Sequence, residues 1–189
     1  MIKLELPISN KDLLSLRVGN YVEVSGIIFT LRDKASRWLL EEKIPEKIKQ
    51  ELKNPTIYHC GPIIKKTKDA YKVISAGPTT SERMLPYLSG LNKRFGISLI
   101  IGKGGFRNTD IFKKNKMVYL HTLSGCGALL AQKIVKVHYV FKLQEFGMPE
   151  AIWKIEVKAL PAIVTIDADG NNLHDSIYKQ SEKLLKNRK

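Results

Sequence analysis

The sequence predicts a mixed α/β fold in which helices pack on a sheet. Residues 97–101 form a continuous apolar run, which is typical of a strand buried on both faces. Strand-like and helix-like segments alternate in the middle of the chain, whereas hairpin-like pairs dominate its start and end. Alternation of this kind favours helices packed on a mixed sheet.

The first half of the chain supplies the clearest strand patterns. Residues 2–6 alternate apolar and polar side chains, and residues 21–30 alternate and are rich in β-branched residues. Residues 9–16 and 32–43 carry helical patterns. The remaining predictions here are a strand at 56–60 that ends at Gly61-Pro62, and a strand at 71–75 that forms a hairpin around the polar residues 65–70.

The second half continues the alternation. Residues 81–94 have a helical pattern, which we expect Pro86 to interrupt because proline lacks a backbone N–H. The strand at 97–101 follows and ends in Gly-Lys-Gly-Gly. The later predictions are a helix at 109–114, a strand at 117–121, a glycine-rich turn that opens a helix in SGCGALLAQKIV, strands at 153–158 and 163–166, a turn at 169–172 and a basic terminal helix. With no repeat and no linker, we expect one domain over residues 1–189.

The chain is strongly basic, with 32 Lys and Arg against 18 Asp and Glu, a net charge of +14. Such a charge attracts nucleic acid, anionic lipid or small anionic substrates. However, the lysines are scattered, and no nucleic-acid motif accompanies them. We therefore expect no nucleic-acid partner, and a non-catalytic polyanion-binding module remains a distant alternative. The short basic clusters are Lys65, Lys66 and Lys68, then Lys113, Lys114 and Lys116, and the terminal LLKNRK.

The two cysteines, Cys60 and Cys126, lie far apart, and the chain has no CxxC motif. This spacing predicts neither a disulfide framework nor a zinc site, and the plain interpretation is two small buried side chains. An iron–sulfur cluster usually takes about three or four thiolates, so we do not expect this chain alone to hold one. No apolar run approaches the roughly 20 residues of a membrane span, and no signal peptide is visible. We expect a cytoplasmic protein without a membrane partner.

Three stretches place polar groups after an apolar strand. They are residues 30–33, residues 77–83 and residues 102–105. Ligands of open α/β sheets gather beyond the carboxyl ends of the strands. If the three stretches meet there, they form a pocket for a carboxylate or phosphate, because guanidinium groups bind such anions bidentately. The pocket would contain the cations Arg32, Arg83 and Lys103 and the hydroxyls of Thr79, Thr80 and Ser81.

Each stretch alone has a plainer interpretation. Gly77-Pro78 is an ordinary turn into a helix cap, with Glu82 as capping partner. The Gly-Lys-Gly-Gly stretch lacks the phosphate-loop spacing and is equally a turn with a solvated lysine. Arg32 and Asp33 are equally a surface ion pair. The histidines lack metal-ligand spacing and are expected to be packed or solvated; they are His59, His121, His138 and His174.

The motifs together resemble the β subunit of the class I fumarate hydratase and L-tartrate dehydratase family. They occur in the family's order from about Arg17 to Leu173, and GPTTSERM followed by GKGG is the most specific pair. The chain is therefore identified as similar to that family over most of its length. The motifs are RVGNYVEVSGIIFTLRD, IYHCGPII, ISAGPTTSERM, IIGKGG, SGCGALLAQ, FGMPEAIWKIEV and TIDADGNNL.

The resemblance implies a swivelling β/β/α domain that is one subunit of an iron–sulfur hydro-lyase. In the family, the α subunit holds a 4Fe–4S cluster through three cysteines, and the open iron acts as a Lewis acid. The resemblance thus implies a cluster-bearing α subunit as partner, an α2β2 assembly, and a cluster that this chain does not bind alone. The expected substrate is a four-carbon dicarboxylate. Reversible hydration of fumarate to malate is the first expectation, and dehydration of L-tartrate to oxaloacetate is the alternative.

The resemblance also assigns residue roles. It implies that Arg32, Arg83 and Lys103 contact the substrate carboxylates, with Thr80 beside them, and that Lys103 takes part in catalysis. Charge that builds on a carboxylate during removal of the neighbouring proton needs such cations. Thr79 is the candidate base, and substrate positioning is its milder alternative. No metal ligand is expected in this chain.

One position departs from the family. The family often reads Arg-Asp-x-x-His after the first strand end, whereas this chain has Arg32-Asp33-Lys34-Ala35-Ser36. Ser36 stands in place of the histidine, which leaves the preferred diacid open.

Overall fold

The protein's structure is a computed structural model that describes residues 1–68 and 70–186. Its strands are β1 (Ile2–Glu5), β2 (Tyr21–Thr30), β3 (Thr56–Tyr58), β4 (Ile63–Lys66), β5 (Tyr71–Ser75), β6 (Leu99–Gly102), β7 (Val118–His121), β8 (Ile134–Phe141) and β9 (Ile152–Ile166). Its helices are α1 (Asn10–Ser15), α2 (Asp33–Glu41), α3 (Glu46–Glu51), α4 (Leu85–Phe95), α5 (Asp110–Asn115), α6 (Gly127–Ala131), α7 (Leu143–Phe146) and α8 (Leu173–Lys186), and a 3₁₀ turn spans Ser81–Met84.

The predicted mixed α/β fold is confirmed. Seven strands form one sheet in the order β1-β2-β3-β6-β7-β9-β8, and β4 and β5 form a separate hairpin. Neighbours among β2, β3, β6 and β7 are parallel, so their carboxyl ends lie at one edge. The long strand β9 runs antiparallel to β7 and also pairs with β2. These pairings close β2, β3, β6, β7 and β9 into a ring.

The closed ring gives the sheet an inner and an outer face, each with its own apolar core. Successive residues of a strand point to opposite faces. In β6, Ile101 joins the inner core with Trp153, whereas Ile100 joins the outer core with Leu88 of α4. The hairpin covers the inner core, where Tyr71 packs edge-on against Trp153 at 5.2 Å between ring centroids. Helices α2 to α5 pack on the outer face, and the hairpin forms a second β layer on the inner face with α1 and α6 beside it, as in a β/β/α arrangement.

Several element boundaries differ from the sequence-based prediction. Pro86 does not interrupt a helix, because it lies in the first turn of α4, where an N–H has no intrahelical partner. The strands predicted at 153–158 and 163–166 are one strand, β9, which continues through Pro161. The residues Ile134 and Val135, predicted to end a helix, begin β8 instead.

None of the helices in the described part of the chain is both long and apolar enough to cross a membrane.

A buried hydrogen-bonded trio fastens the segment after the hairpin to the sheet. Ser81 Oγ accepts a hydrogen bond from the Tyr119 hydroxyl at 2.9 Å and lies 3.0 Å from His59 Nδ1. The backbone N–H of Ser81 donates to the Lys103 carbonyl at 3.1 Å. A Cβ at Gly102 would lie 1.9 Å from Ser81 Oγ, so the close approach requires glycine at that position. Complete burial lowers the pKa of His59 to about 3, so the folded protein keeps it neutral.

The neutral state of His59 predicts a loss of stability at mildly acidic pH. Its folded-state pKa lies below the ordinary value near 6.5, so below that pH the unfolded chain binds a proton that the folded chain refuses. We expect His59 to cost about 2 kcal/mol of unfolding free energy between pH 7 and pH 5. Urea unfolding of the wild type and His59→Gln at both pH values measures this, since the difference removes the contribution of other groups. An equal pH dependence in the two proteins would contradict the prediction.

Candidate active site

Three loops meet at the carboxyl edge of the parallel strands. The first loop, residues 31–33, follows β2, and the glycine loop, residues 102–105, follows β6. The third, residues 77–83, is here called the crossing segment. It leaves β5 of the hairpin, which is separate from the seven-stranded sheet, and crosses over the edge of that sheet. Isolated bridges pair Pro78 with Cys60 beyond β3, and Thr80 with Lys103 beyond β6.

Arg83 links the crossing segment to the first loop. Its Nη2 donates a hydrogen bond to Thr79 Oγ1 at 3.0 Å and lies 3.1 Å from Asp33 Oδ2. The arginine side chain is 49% exposed, and exposed ion pairs add little to stability. The ion pair with Asp33 instead serves to hold the Arg83 guanidinium beside the Thr79 hydroxyl.

Arg32 pairs with a different acid. Its Nε lies 3.2 Å from Glu150 Oε1 in an ion pair that is three-quarters buried. The second oxygen of Glu150 accepts the backbone N–H of Lys34 at 3.0 Å, which fixes the start of α2. The interpretation of Arg32 and Asp33 as a surface ion pair with each other is therefore wrong. The sequence reasoning did not single out Glu150, although it stands in the FGMPEAIWKIEV motif.

The guanidinium of Arg32 also lies across a glycine. A Cβ added at Gly61 would lie 2.6 Å from Arg32 Nη1 and 2.9 Å from the Pro149 carbonyl oxygen. Nothing larger than glycine fits there without a shift of the arginine or of the backbone at Pro149. Gly61 and Glu150 together set the position of the guanidinium.

The glycine loop that carries Lys103 rests on two histidines. His121 Nδ1 lies 3.0 Å from the Gly104 carbonyl oxygen, and a Cβ at Gly105 would lie 2.6 Å from the ring of His174. The two rings are 5.7 Å apart, and burial, with the neighbouring His121, lowers the pKa of His174. The four histidines were expected to be packed or solvated: His59, His121 and His174 are packed, and His138 is exposed with its Nε2 2.8 Å from Glu156 Oε2. Among the described residues, the Lys103 ammonium forms neither a hydrogen bond nor an ion pair.

The other candidate side chains have distinct environments. Thr80 is exposed, and Ser81 is buried in the trio, so Ser81 cannot contact a ligand. The predicted capping role of Glu82 is wrong, since its Oε2 accepts the backbone N–H of Arg107 at 3.0 Å. Ser36 is fully buried on α2, and its Oγ has no hydrogen-bond partner within residues 1–68 and 70–186.

The arrangement is suited to an anion with more than one carboxylate. Three cations reach the same edge from three loops, and the hydroxyls of Thr79 and Thr80 stand among them. Arginine binds a carboxylate through two parallel N–H groups, whereas lysine supplies a compact charge. The side chain of Arg83 is half exposed, so a ligand bound here would stay open to solvent on one side.

The cysteines of this chain do not fit an iron–sulfur cluster. Cys60 is buried as expected, and burial raises the pKa of its thiol to about 12. Metals bind the thiolate, so such a thiol is a poor ligand. Cys126, predicted to be buried, is only partly buried. Over the described ranges, no group of three or more His, Cys, Asp or Glu side chains is placed to hold a metal ion.

The basic clusters predicted from the sequence lie on three separate elements. Lys65 and Lys66 belong to β4 and Lys68 follows it, and the second cluster lies at the end of α5. The third begins in α8, and its last three residues, 187–189, lie outside the described residues.

Comparison with known proteins identifies the family. The family model described as "Fumarase C-terminus" matches residues 1–177. The chain is 40% identical over 188 residues to "Putative fumarate hydratase class I" of Geobacillus stearothermophilus, covering 97% of this chain and 36% of that protein. The chain thus spans about a third of the length of this relative.

Two further relatives have nearly the same length as this chain. "Putative L(+)-tartrate dehydratase subunit beta" of Methanocaldococcus jannaschii is 40% identical over 182 residues, which cover 94% of this chain and 93% of that protein. "L(+)-tartrate dehydratase subunit beta" of Escherichia coli K12 is 36% identical over 192 residues, covering 98% of this chain and 90% of that protein. The motifs, the loop geometry and these matches agree that the chain belongs to the fumarase C-terminus family, alongside the β subunits of tartrate dehydratase.

Proposed function

We propose that this chain is the β subunit of a two-subunit iron–sulfur hydro-lyase that reversibly hydrates fumarate to malate. The observation that carries the proposal is the junction of three loops at one sheet edge. Arg83 contacts both Asp33 and Thr79, and the backbone of Thr80 pairs with that of Lys103. The residues whose types suit a dicarboxylate are therefore neighbours in space, although they are up to 71 positions apart in sequence, from Arg32 to Lys103.

The cations have two tasks in this proposal. Arg32 and Arg83 bind and orient the two carboxylates of the substrate, and Lys103 adds charge beside the carboxylate that gains electron density when the neighbouring C–H loses its proton. Cations that are already in place stabilise this charge without reorganisation. The fixed position of Arg32 between Gly61 and Glu150 supports its role, because orientation lowers the barrier only when the binding group itself is held still.

Thr79 is proposed as the proton-transferring residue. A hydroxyl is a weak base, but the hydrogen bond that Arg83 donates to Thr79 Oγ1 favours the deprotonated oxygen. The backbone N–H of Thr79 donates to the His59 carbonyl at 2.7 Å, so the threonine is held at the end of β3. Substrate positioning remains the second role for this hydroxyl.

We further propose that a partner α subunit holds the 4Fe–4S cluster and completes the site in an α2β2 assembly. Two observations support a partner. The cysteines of this chain are unsuited to a cluster, and the candidate site is open on one side, where water would weaken the interactions of its cations. The names of the two relatives of similar length, which are β subunits, support the same division into chains.

L-Tartrate is the second candidate substrate. It is favoured by the names of the two relatives that match this chain over nearly their whole length. Both substrates carry two carboxylates on a four-carbon chain, so the same three cations suit either one. The buried Ser36, at the position where the family often has histidine, lies on the helix that follows the first loop and is a candidate to influence the choice.

Reconstitution tests the proposal. We expect this chain and its α subunit, mixed under anaerobic conditions, to interconvert malate and fumarate, and each chain alone to be inactive. The reaction is followed by the ultraviolet absorbance of fumarate, and a parallel assay measures oxaloacetate formed from L-tartrate. Preference for tartrate would select the second candidate, and a complex that turns over neither diacid would contradict the proposed function.

Arg83→Ala in the complex should lower kcat/KM by at least about 100-fold, because it removes a carboxylate contact and the hydrogen bond to Thr79. Assembly should survive, since the side chain is exposed. Arg17→Ala is the control, because it removes the same charge near the opposite end of β2. Normal kcat/KM in Arg83→Ala would refute the assignment of this site.

Gly61→Ala should displace the Arg32 guanidinium and lower kcat/KM by at least about 10-fold, since its Cβ would lie within 3 Å of both Arg32 and the Pro149 carbonyl. The matched control is Gly77→Ala in the second Gly-Pro turn, where the nearest atom to the new Cβ is Gly127 Cα at an ordinary 3.6 Å. Steady-state kinetics of both complexes gives the answer. A kcat/KM of the Gly61→Ala complex equal to that of the wild type would show that the position of Arg32 does not matter.

A further inference from the structure

We propose that the apolar face of α8 is a docking surface for the partner α subunit, a proposal that rests on the proposed function. The helix has 14 residues and none of them is buried. Four large apolar side chains are more than half exposed. At about 100° per residue, they fall within one arc of about 120°, and every charged residue of the helix lies outside that arc. The four are Ile177, Tyr178, Leu184 and Leu185.

The rest of the described chain leaves this face uncovered. Only the first turn of α8 is fastened to the body, where the ring of His174 packs on Gly105 and the side chain of Asn172 donates to the Phe106 carbonyl at 3.2 Å. From Ile177 onward, the side chains of α8 make no hydrogen bond or ion pair to another described element. A lone helix of this length is only marginally stable in water, so packing on another surface must hold it.

The position of α8 places its partner at the candidate active site. Its first turn lies against the glycine loop that carries Lys103, and the helix extends about 20 Å from there. Two further apolar side chains, Leu123 and Leu129, are each 50% exposed in and after the loop that follows β7. Because β7 is parallel to β6, that loop leaves the sheet at the same edge. A chain that covers the open side of the site would meet both apolar surfaces.

Charge and length favour the α subunit over a second copy of this chain. Each copy carries a net charge of +14, and the edge beside α8 presents the site cations, so two copies would repel each other there. The single-chain fumarate hydratase relative is matched over 36% of its length, so it has nearly two-thirds of a chain left to cover the equivalent surface. We infer that the α subunit has a complementary apolar groove.

Affinity measurements with the purified α subunit test this surface. The double variant Ile177→Ser with Leu184→Ser removes two apolar contacts and should raise the Kd of the complex at least about 30-fold. The control, Lys179→Ser with Lys183→Ser, places the same residue on the charged face and should stay within about threefold of wild type. In the wild type, amide hydrogen exchange over residues 177–186 should slow when the complex forms.

The outcomes separate this proposal from the proposed function. Equal affinity of the two double variants, unchanged amide exchange, or no complex with wild-type chain would overturn the docking surface. Ultracentrifugation of this chain alone provides another test. If the wild type is a dimer and the double variant Ile177→Ser with Leu184→Ser is a monomer, the face binds a second copy of this chain and the proposal fails. If affinity falls as expected but the wild-type complex turns over neither diacid, then docking stands and the hydro-lyase assignment fails. If the wild-type complex is active but the double variant binds with unchanged affinity, the hydro-lyase assignment stands and the docking surface fails.

Discussion

The crossing segment depends on a few hydrogen bonds made across the ends of two parallel strands. The backbone N–H groups of Thr79 and Ser81 donate to the carbonyls of His59 and Lys103. Beneath them, Ser81 Oγ is shared by Tyr119 and His59 in a site that water does not reach. Leaving a buried polar group without a hydrogen-bond partner lowers stability by more than the hydrogen bond itself adds. Few other conformations of the crossing segment would keep all of these groups paired. The position of Arg83 and Thr79, and thus the whole candidate site, follows from it.

The site also has to hold several positive charges near one another without a ligand. Asp33 and Glu150 each neutralise one arginine, but in different surroundings. Asp33 is 38% exposed beside Arg83, and Glu150 is 20% exposed beside Arg32. The more exposed pair is easier for a ligand carboxylate to replace, because water already screens it. The more buried pair acts as a fixed support, and Glu150 stabilises it further by accepting the N–H of Lys34. One arginine is therefore suited to respond to the ligand and the other to stay in place.

Much of this could be predicted from sequence, but only where local pattern and chemistry agree. The buried run at β6 and the alternation of β2 gave correct strands, and residue types alone suggested an anion site with Arg32, Arg83 and Lys103. What failed depends on distant contacts. Glu150 meets Arg32 only because β9, which follows it, pairs with β2, and β8 is a half-exposed edge strand that the sequence-based prediction did not include. The strands predicted at 153–158 and 163–166 are joined in β9, whose intervening residues pair with β2. No spacing rule connects His59 to Ser81 and Tyr119.

The closed ring of strands has a consequence for how the protein is made. β2 is complete by residue 30, yet one of its edges is paired by residues 154–163, which are synthesised more than 120 residues later. Until then, β2 presents a row of unpaired backbone groups, and open strand edges invite pairing with other chains. Contacts so distant in sequence also form slowly. This sheet thus cannot form progressively along the nascent chain, and its risk of aggregation lasts until β9 has emerged.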